Sequence, residues 1–269
     1  MADCYRFTIL GCGSSPGVPR IGGDWGACDP ANPRNRRLRC SLLAQRIGAS
    51  GGITNVLIDT SPDLRQQALA AGIGSLDGVL FTHPHADHIH GIDDLRGFVL
   101  NMRRRVDVFA DEPTMARLHE GFRYCFETPS GSDYPPLVKG HAIVAGAEVQ
   151  IVGKGGAVAA MPIKQIHGRM TSLAFRIGGL AYSPDISDLD DEAQHQLQDL
   201  DVWIVDALRP TPHPSHLSLD EALAWIERLK PKRAILTHMH VDLDYDTLRR
   251  TLPPNVEPGF DGMAIELPA

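Results

Sequence analysis

Apolar residues fall along this chain in short runs rich in β-branched and aromatic side chains, separated by glycine, proline and serine, a rhythm that predicts strands more often than helices. Residues 5–10 (YRFTIL) predict a first strand running into a glycine-rich loop, Gly11-Cys12-Gly13-Ser14-Ser15-Pro16-Gly17. Residues 41–47 and 53–58 flank a Gly/Ser turn at 48–52 and predict a hairpin. Ser61-Pro62-Asp63 offers a helix start with proline in the first turn, and helix formers follow over 63–71 up to Gly72. A buried strand at 79–81 leads toward a helix over 89–105. Further strands are predicted at 106–110, 149–152, 157–166, 173–177, 202–205, 234–236 and 263–267, and a helix over 219–230 is stopped by Pro231. No repeat, low-complexity tract or linker-like shift divides the sequence, so one α/β domain over 1–269 is expected. Hairpins at both ends predict mixed sheets with helices on their outer faces, not a regular βαβ alternation.

Composition narrows the classes. The chain has 269 residues, 43% hydrophobic and 22% charged, which is that of a folded globule. With 26 Lys+Arg against 33 Asp+Glu, the net charge of −7 argues against a DNA-coating protein. No stretch approaches the roughly 18 uninterrupted apolar residues of a membrane span. Residues 1–6 lack the basic and apolar start of an export signal, so a cytoplasmic location is expected. The five cysteines (Cys4, Cys12, Cys28, Cys40 and Cys125) form no Cys-x-x-Cys pair and read as free thiols.

Histidine carries the chemistry. Of twelve histidines, His83, His85, His88 and His90 fall together in a run that follows a strand. While the backbone is still extended, His83 and His85 project to one side and can chelate one ion. Asp87 and His88 diverge as the chain turns helical, so they can serve a second ion close by. Imidazole with carboxylate suits Zn²⁺, Fe²⁺ or Mn²⁺, and the lack of thiolates disfavours a purely structural zinc. Further ligands must come from distant sequence. His167, Asp185 and His238 each stand where an apolar run ends in a polar loop, as His83 does.

The series His83-x-His85-x-Asp87-His88, then His167, Asp185 and His238, resembles the metallo-β-lactamase superfamily over essentially the whole chain. The resemblance implies an αββα sandwich, two mixed sheets flanked by helices, with two divalent ions at the sheet edges. One ion would take His83, His85 and His167, the other Asp87, His88 and His238, with Asp185 bridging. Within that superfamily, Gly11-Cys12-Gly13-Ser14-Ser15-Pro16-Gly17-Val18-Pro19, Ile235-Leu236-Thr237-His238 and Gly259-Phe260-Asp261-Gly262-Met263 resemble PhnP-type cyclic phosphodiesterases. These open phosphoribosyl 1,2-cyclic phosphate. The resemblance implies a small phosphodiester or nucleotide-like substrate and a homodimer. It makes His216 the general acid, with Asp87 beside it in the catalytic group, while two ions roughly 3.5–4 Å apart activate a bridging hydroxide. The family's Cys-x-Cys-x-x-Cys cluster is missing, since only Cys28 remains of it, so no structural zinc is expected.

Other residues are open to two readings. Asp59 either orients a ligand histidine or belongs to the turn before Pro62. His216 is either the acid or a cap of the helix near Ser218. Ser14 and Ser15 offer donors to phosphate, and His213 and His240 belong to the pocket edge. Arg34–Arg39 and Arg103–Arg105 either bind phosphate or form solvated faces. His90, His119, His141 and His195 read as surface residues. Three competing activities share the ligands. A tRNA-processing nuclease needs a basic arm that the sequence lacks, a thioesterase normally lacks a partner like His216, and a cofactor-assembly protein of the same fold would not hydrolyse at all.

Overall fold

The first strand, β1 (Cys4–Gly11), alternates between the core, through Tyr5, Phe7 and Ile9, and more exposed positions. The computed structural model describes residues 3–269; Met1 and Ala2, part of the N-terminal reading above, lie outside the described residues. After a long excursion, β2 (Ser41–Ile47) and β3 (Ile53–Ile58) form the expected hairpin, with Ala44 opposite both Phe7 and Val56. From β3 the sheet turns parallel through β4 (Gly78–Leu80), β5 (Val106–Ala110) and β6 (Val138–Ala142). The second sheet begins as an antiparallel meander, β7 (Val149–Gly153), β8 (Gly156–His167), β9 (Met170–Ile177) and β10 (Leu180–Ser183). It continues in parallel through β11 (Val202–Asp206), β12 (Arg233–Thr237) and β13 (Val256–Pro258). Finally β14 (Ala264–Pro268) returns to pair with β1. Each sheet has seven strands, in the orders β14-β1-β2-β3-β4-β5-β6 and β13-β12-β11-β10-β9-β8-β7.

Between the sheets lies an apolar layer including Phe7, Ile58, Phe175 and Ile204, continuous with the buried residues under the helices of the second sheet. Burying Trp203 strands no donor, because its Nε1 donates to Ser183 Oγ at 2.9 Å. A second apolar layer covers the other face of the first sheet, under α1 (Leu64–Ala71), α2 (Ala86–Ile89), α3 (Leu95–Met102) and α4 (Glu112–Phe126). Three more helices, α5 (Asp191–Gln196), α6 (Leu219–Leu229) and α7 (Tyr245–Thr251), follow the strands of the second sheet. This is the αββα sandwich. Among the described residues no helix is long and apolar enough to cross a membrane.

The expected helix over 89–105 is corrected. It is broken into α2, a 3₁₀ turn at Ile92–Asp94, and α3. The cause is contact at Gly91, where an added Cβ would lie 2.0 Å from the Ser61 carbonyl oxygen; the chain must run close under Ser61 there. Helices α4, α5 and α7 were not foreseen, although Asp111, Asp190 and Asp244 each cap one with a side-chain oxygen.

Candidate metal centre

Parallel strands end on one side of the sandwich, and their carboxyl ends carry the polar residues. Asp59 follows β3, the loop 81–88 follows β4, Asp185 follows β10, Asp206 ends β11 and His238 follows β12. His167 arrives at the end of the long antiparallel β8. Strand ends in such sheets bring distant sequence to one crevice. Two of these residues, Asp59 (φ 64°) and His238 (φ 56°), hold left-handed backbone that costs a non-glycine residue energy and persists only where its surroundings enforce it.

The side chains converge as the sequence expects. One group comprises His83, His85, His167 and Asp185, a second Asp87, His88 and His238, and a third Asp185, His216 and His238; in each, the donor atoms lie within 4.8 Å of one another. Asp185 is the hub. Its carboxylate lies 3.0 Å from His88 Nε2, 3.6 Å from both His83 Nε2 and His238 Nε2, 3.8 Å from His167 Nε2 and 3.9 Å from His216 Nδ1. Asp87 lies 3.5 Å from His88 Nε2 and 3.6 Å from His238 Nε2.

Outer residues fix the rings. His88 Nδ1 donates to Asp59 Oδ2 at 2.7 Å, and His167 Nδ1 donates to the Ser215 carbonyl at 2.6 Å. His83 Nδ1 donates to Thr82 Oγ1 at 3.0 Å, and that hydroxyl donates to Asp59 at 2.8 Å. With Nδ1 engaged outward, Nε2 faces inward. His83 Nε2, His88 Nε2, His238 Nε2 and Asp185 Oδ1 are buried without hydrogen-bond partners, although His88 Nε2 and Asp185 Oδ1 approach each other closely. Buried polar atoms left unpaired cost stability, and a cation satisfies all of them at once. The residues therefore fit divalent metal ions.

Electrostatics agree. Burial pushes His83 well below its ordinary value and His167 down to about 4, which keeps both rings neutral as ligands must be. Burial works to raise Asp185, yet His238, His88 and His83 around it hold its carboxyl well below the usual range. For His88, burial opposes the charged ring, but Asp185, Asp87 and Asp59 raise it well above the ordinary value.

His216 lies beside this group, its ring stacked on His238 with centroids 4.6 Å apart. The capping reading is excluded by Ser218, which itself forms the capping box of α6 with Glu221. Instead His216 Nδ1 donates to Asp206 Oδ2 at 2.8 Å. Burial lowers His216 and raises the wholly buried Asp206. Asp206 was not among the residues expected at the site, although it ends an apolar run, Val202-Trp203-Ile204-Val205, in the same way that His83 and His238 do.

The remaining candidates divide. Asp59 is the partner of His88. Ser14 is buried with an unpartnered Oγ, and its N–H donates to the Met239 carbonyl beside His238, whereas Ser15 is exposed. His213 has its ring 5.2 Å from that of His216, and His240 contacts Arg20 and donates to Asp242 at 2.5 Å. Every arginine of the 34–39 cluster has a partner within the fold: Arg34 lies over Tyr245 and Phe260, Arg36 over Trp25, Arg39 pairs with Asp63, and Arg37 is buried. His90 packs on Phe122, His119 on Phe126, and His141 pairs with Asp107. All five cysteines are free thiols.

Comparison with known proteins matches residues 54–239 to the β-lactamase superfamily domain. A crystal structure of a new diphosphatase from the PhnP family superposes with a TM-score of 0.88 at 36% identity, covering 99% of this chain and 98% of that one. An octanoyltransferase of Porphyromonas gingivalis is 34% identical over 263 residues, 96% of this chain, and a ribonuclease Z of Bradyrhizobium is 32% identical over 123 residues. The matches cover 51% of the Porphyromonas protein and 39% of the Bradyrhizobium one, so this chain matches at most about half of either.

Proposed function

Because the chain belongs to the metallo-β-lactamase superfamily and groups there with the PhnP family, we propose that it is a metal-dependent phosphodiesterase acting on a small cyclic or nucleotide-type phosphate ester, or on the related phosphoanhydride. The observation that supports this most is the Asp185 carboxylate ringed by imidazoles whose inward nitrogens have no other partner. His83, His85 and His167 would hold one divalent ion and Asp87, His88 and His238 a second, with Asp185 between them; Zn²⁺ and Mn²⁺ both suit this donor set. Such ions supply an activated water and neutralise charge on the phosphoryl oxygens. Asp59 and the Ser215 carbonyl keep the histidine rings aimed inward. Asp206 holds His216 at Nδ1, leaving Nε2 to carry a proton to the departing oxygen.

The test is His216→Ala in protein reloaded with Zn²⁺ or Mn²⁺. Turnover of a diester with a poor alkoxide leaving group should fall by roughly 10²–10⁴-fold, turnover of bis-p-nitrophenyl phosphate should fall much less, and metal content should stay unchanged. Equal activity on the poor leaving group overturns the role of His216. A second reading, thioester hydrolysis, is favoured by the likeness to a protein named for octanoyl transfer. Turnover of an octanoyl thioester with none of either diester would replace the first reading by the second.

A further inference from the structure

Between β1 and β2 the chain makes an excursion over residues 12–40 that contains only a single short 3₁₀ turn, at Pro33–Asn35. It lies against residues 238–245, which begin with the strained His238. The contacts are dense. Met239 N donates to the Cys12 carbonyl, Ser14 N to the Met239 carbonyl, and Ala27 N to the Val241 carbonyl. At their centre is Arg37, only 1% exposed. Its guanidinium donates to the Leu243 carbonyl at 2.7 Å, the His240 carbonyl at 3.3 Å and Asn35 Oδ1 at 3.3 Å, and meets Cys28 Sγ at 3.8 Å. Asn35 in turn donates to Asp244 at 2.7 Å and accepts from Tyr245 N at 2.8 Å.

A buried cation whose hydrogen-bond acceptors are carbonyls, an amide and a thiol is a costly way to add stability, because neutral acceptors only partly replace its hydration. It is a good way to fix a backbone path, since a planar fork engages several carbonyls in set directions. We infer that Arg37 is a positioning residue for the second ion of the centre. It draws the carbonyls of residues 240 and 243 onto the excursion and so holds His238 in the left-handed conformation that aims its ring at Asp87 and Asp185. The first group, His83, His85 and His167, hangs on β4 and β8, and the guanidinium of Arg37 hydrogen-bonds to neither. This inference rests on the two-ion reading above and assigns Arg37 to one half of it.

The experiment titrates metal-stripped wild type, Arg37→Met and Arg37→Lys with Zn²⁺ by calorimetry, with Mn²⁺ EPR spectra and thermal melting alongside. Wild type should take up two ions. R37M should bind one with unchanged affinity and the other at least tenfold more weakly, and its Mn²⁺ spectrum should change from a coupled pair to an isolated ion. R37K, which keeps the charge but not the fork, should fall between, and it carries the comparison if R37M does not fold. Two ions bound with wild-type affinity in the variants, even with a lowered melting temperature, overturn the inference, as does loss of both ions in step. A wild type that binds one ion overturns the two-ion reading itself, and that result is known before any variant is measured.

Discussion

Asp59 is wholly buried, and its carboxylate accepts from Thr82 N, Thr82 Oγ1 and His88 Nδ1, so one side chain sets the orientation of His88 and, through Thr82, of His83. Asparagine tolerates the left-handed backbone found at this position, which allows the carboxylate to be removed without disturbing the turn. Asp59→Asn should therefore weaken metal binding about 10–100-fold, measured by competition with a chelator, while the far-ultraviolet circular dichroism stays that of wild type. Unchanged affinity would show that His88 needs no such partner. The inward groups were legible in the sequence because chemistry limits which residues bind metal and their short spacing placed them at a strand end. The groups behind them were harder to read. An aspartate such as Asp59 or Asp206 looks the same in a turn as behind a histidine, and only the three-dimensional path of β3 or β11 tells the two apart.

Strands were read more faithfully than helices, for a physical reason. The hairpin of β2 and β3 combines apolar runs with a Gly/Ser turn, and both signals are local. The break after α2 is not local: apolar residues recur at helical spacing on both sides of Gly91, at Ile89, Ile92, Leu95 and Phe98, and the contact of Gly91 with the Ser61 carbonyl depends on the end of β3 lying alongside. Gly91→Ala therefore forces backbone movement although alanine is the better helix former. We expect it to cost about 1–3 kcal/mol, read as a lower denaturant midpoint at unchanged slope. A gain in stability would mean that the loop can shift freely. At the other helix of the centre, the capping box of Ser218 and Glu221 fixes where α6 begins, and so leaves His216 outside the helix and available to Asp206.

At the scale of the molecule, the C-terminal segment meets the excursion between β1 and β2 at Asp261, just before β14. Its carboxylate accepts from the backbone of Leu38 at 2.7 Å and of Cys12 at 3.1 Å, tying the C-terminal segment to both ends of the excursion. Burial raises this carboxyl to about 7. A group with a raised folded-state value contributes its stability fully below its unfolded-state value, near 4, and loses it as pH rises through about 7. Melting temperature should therefore decline over that range, and Asp261→Asn should flatten the decline; a parallel curve for the variant would assign the pH dependence elsewhere. Joining distant segments in this way also constrains how the pocket can diverge. Because His167 donates to the carbonyl of Ser215, the neighbour of His216, the downstream half of the β11–α6 connection is locked to the histidine cluster. If the chain acts on phosphate esters as proposed, room for a bulkier leaving group has to come from residues 210–212, since Arg209 is bonded to the start of α6 and His213 packs on His216.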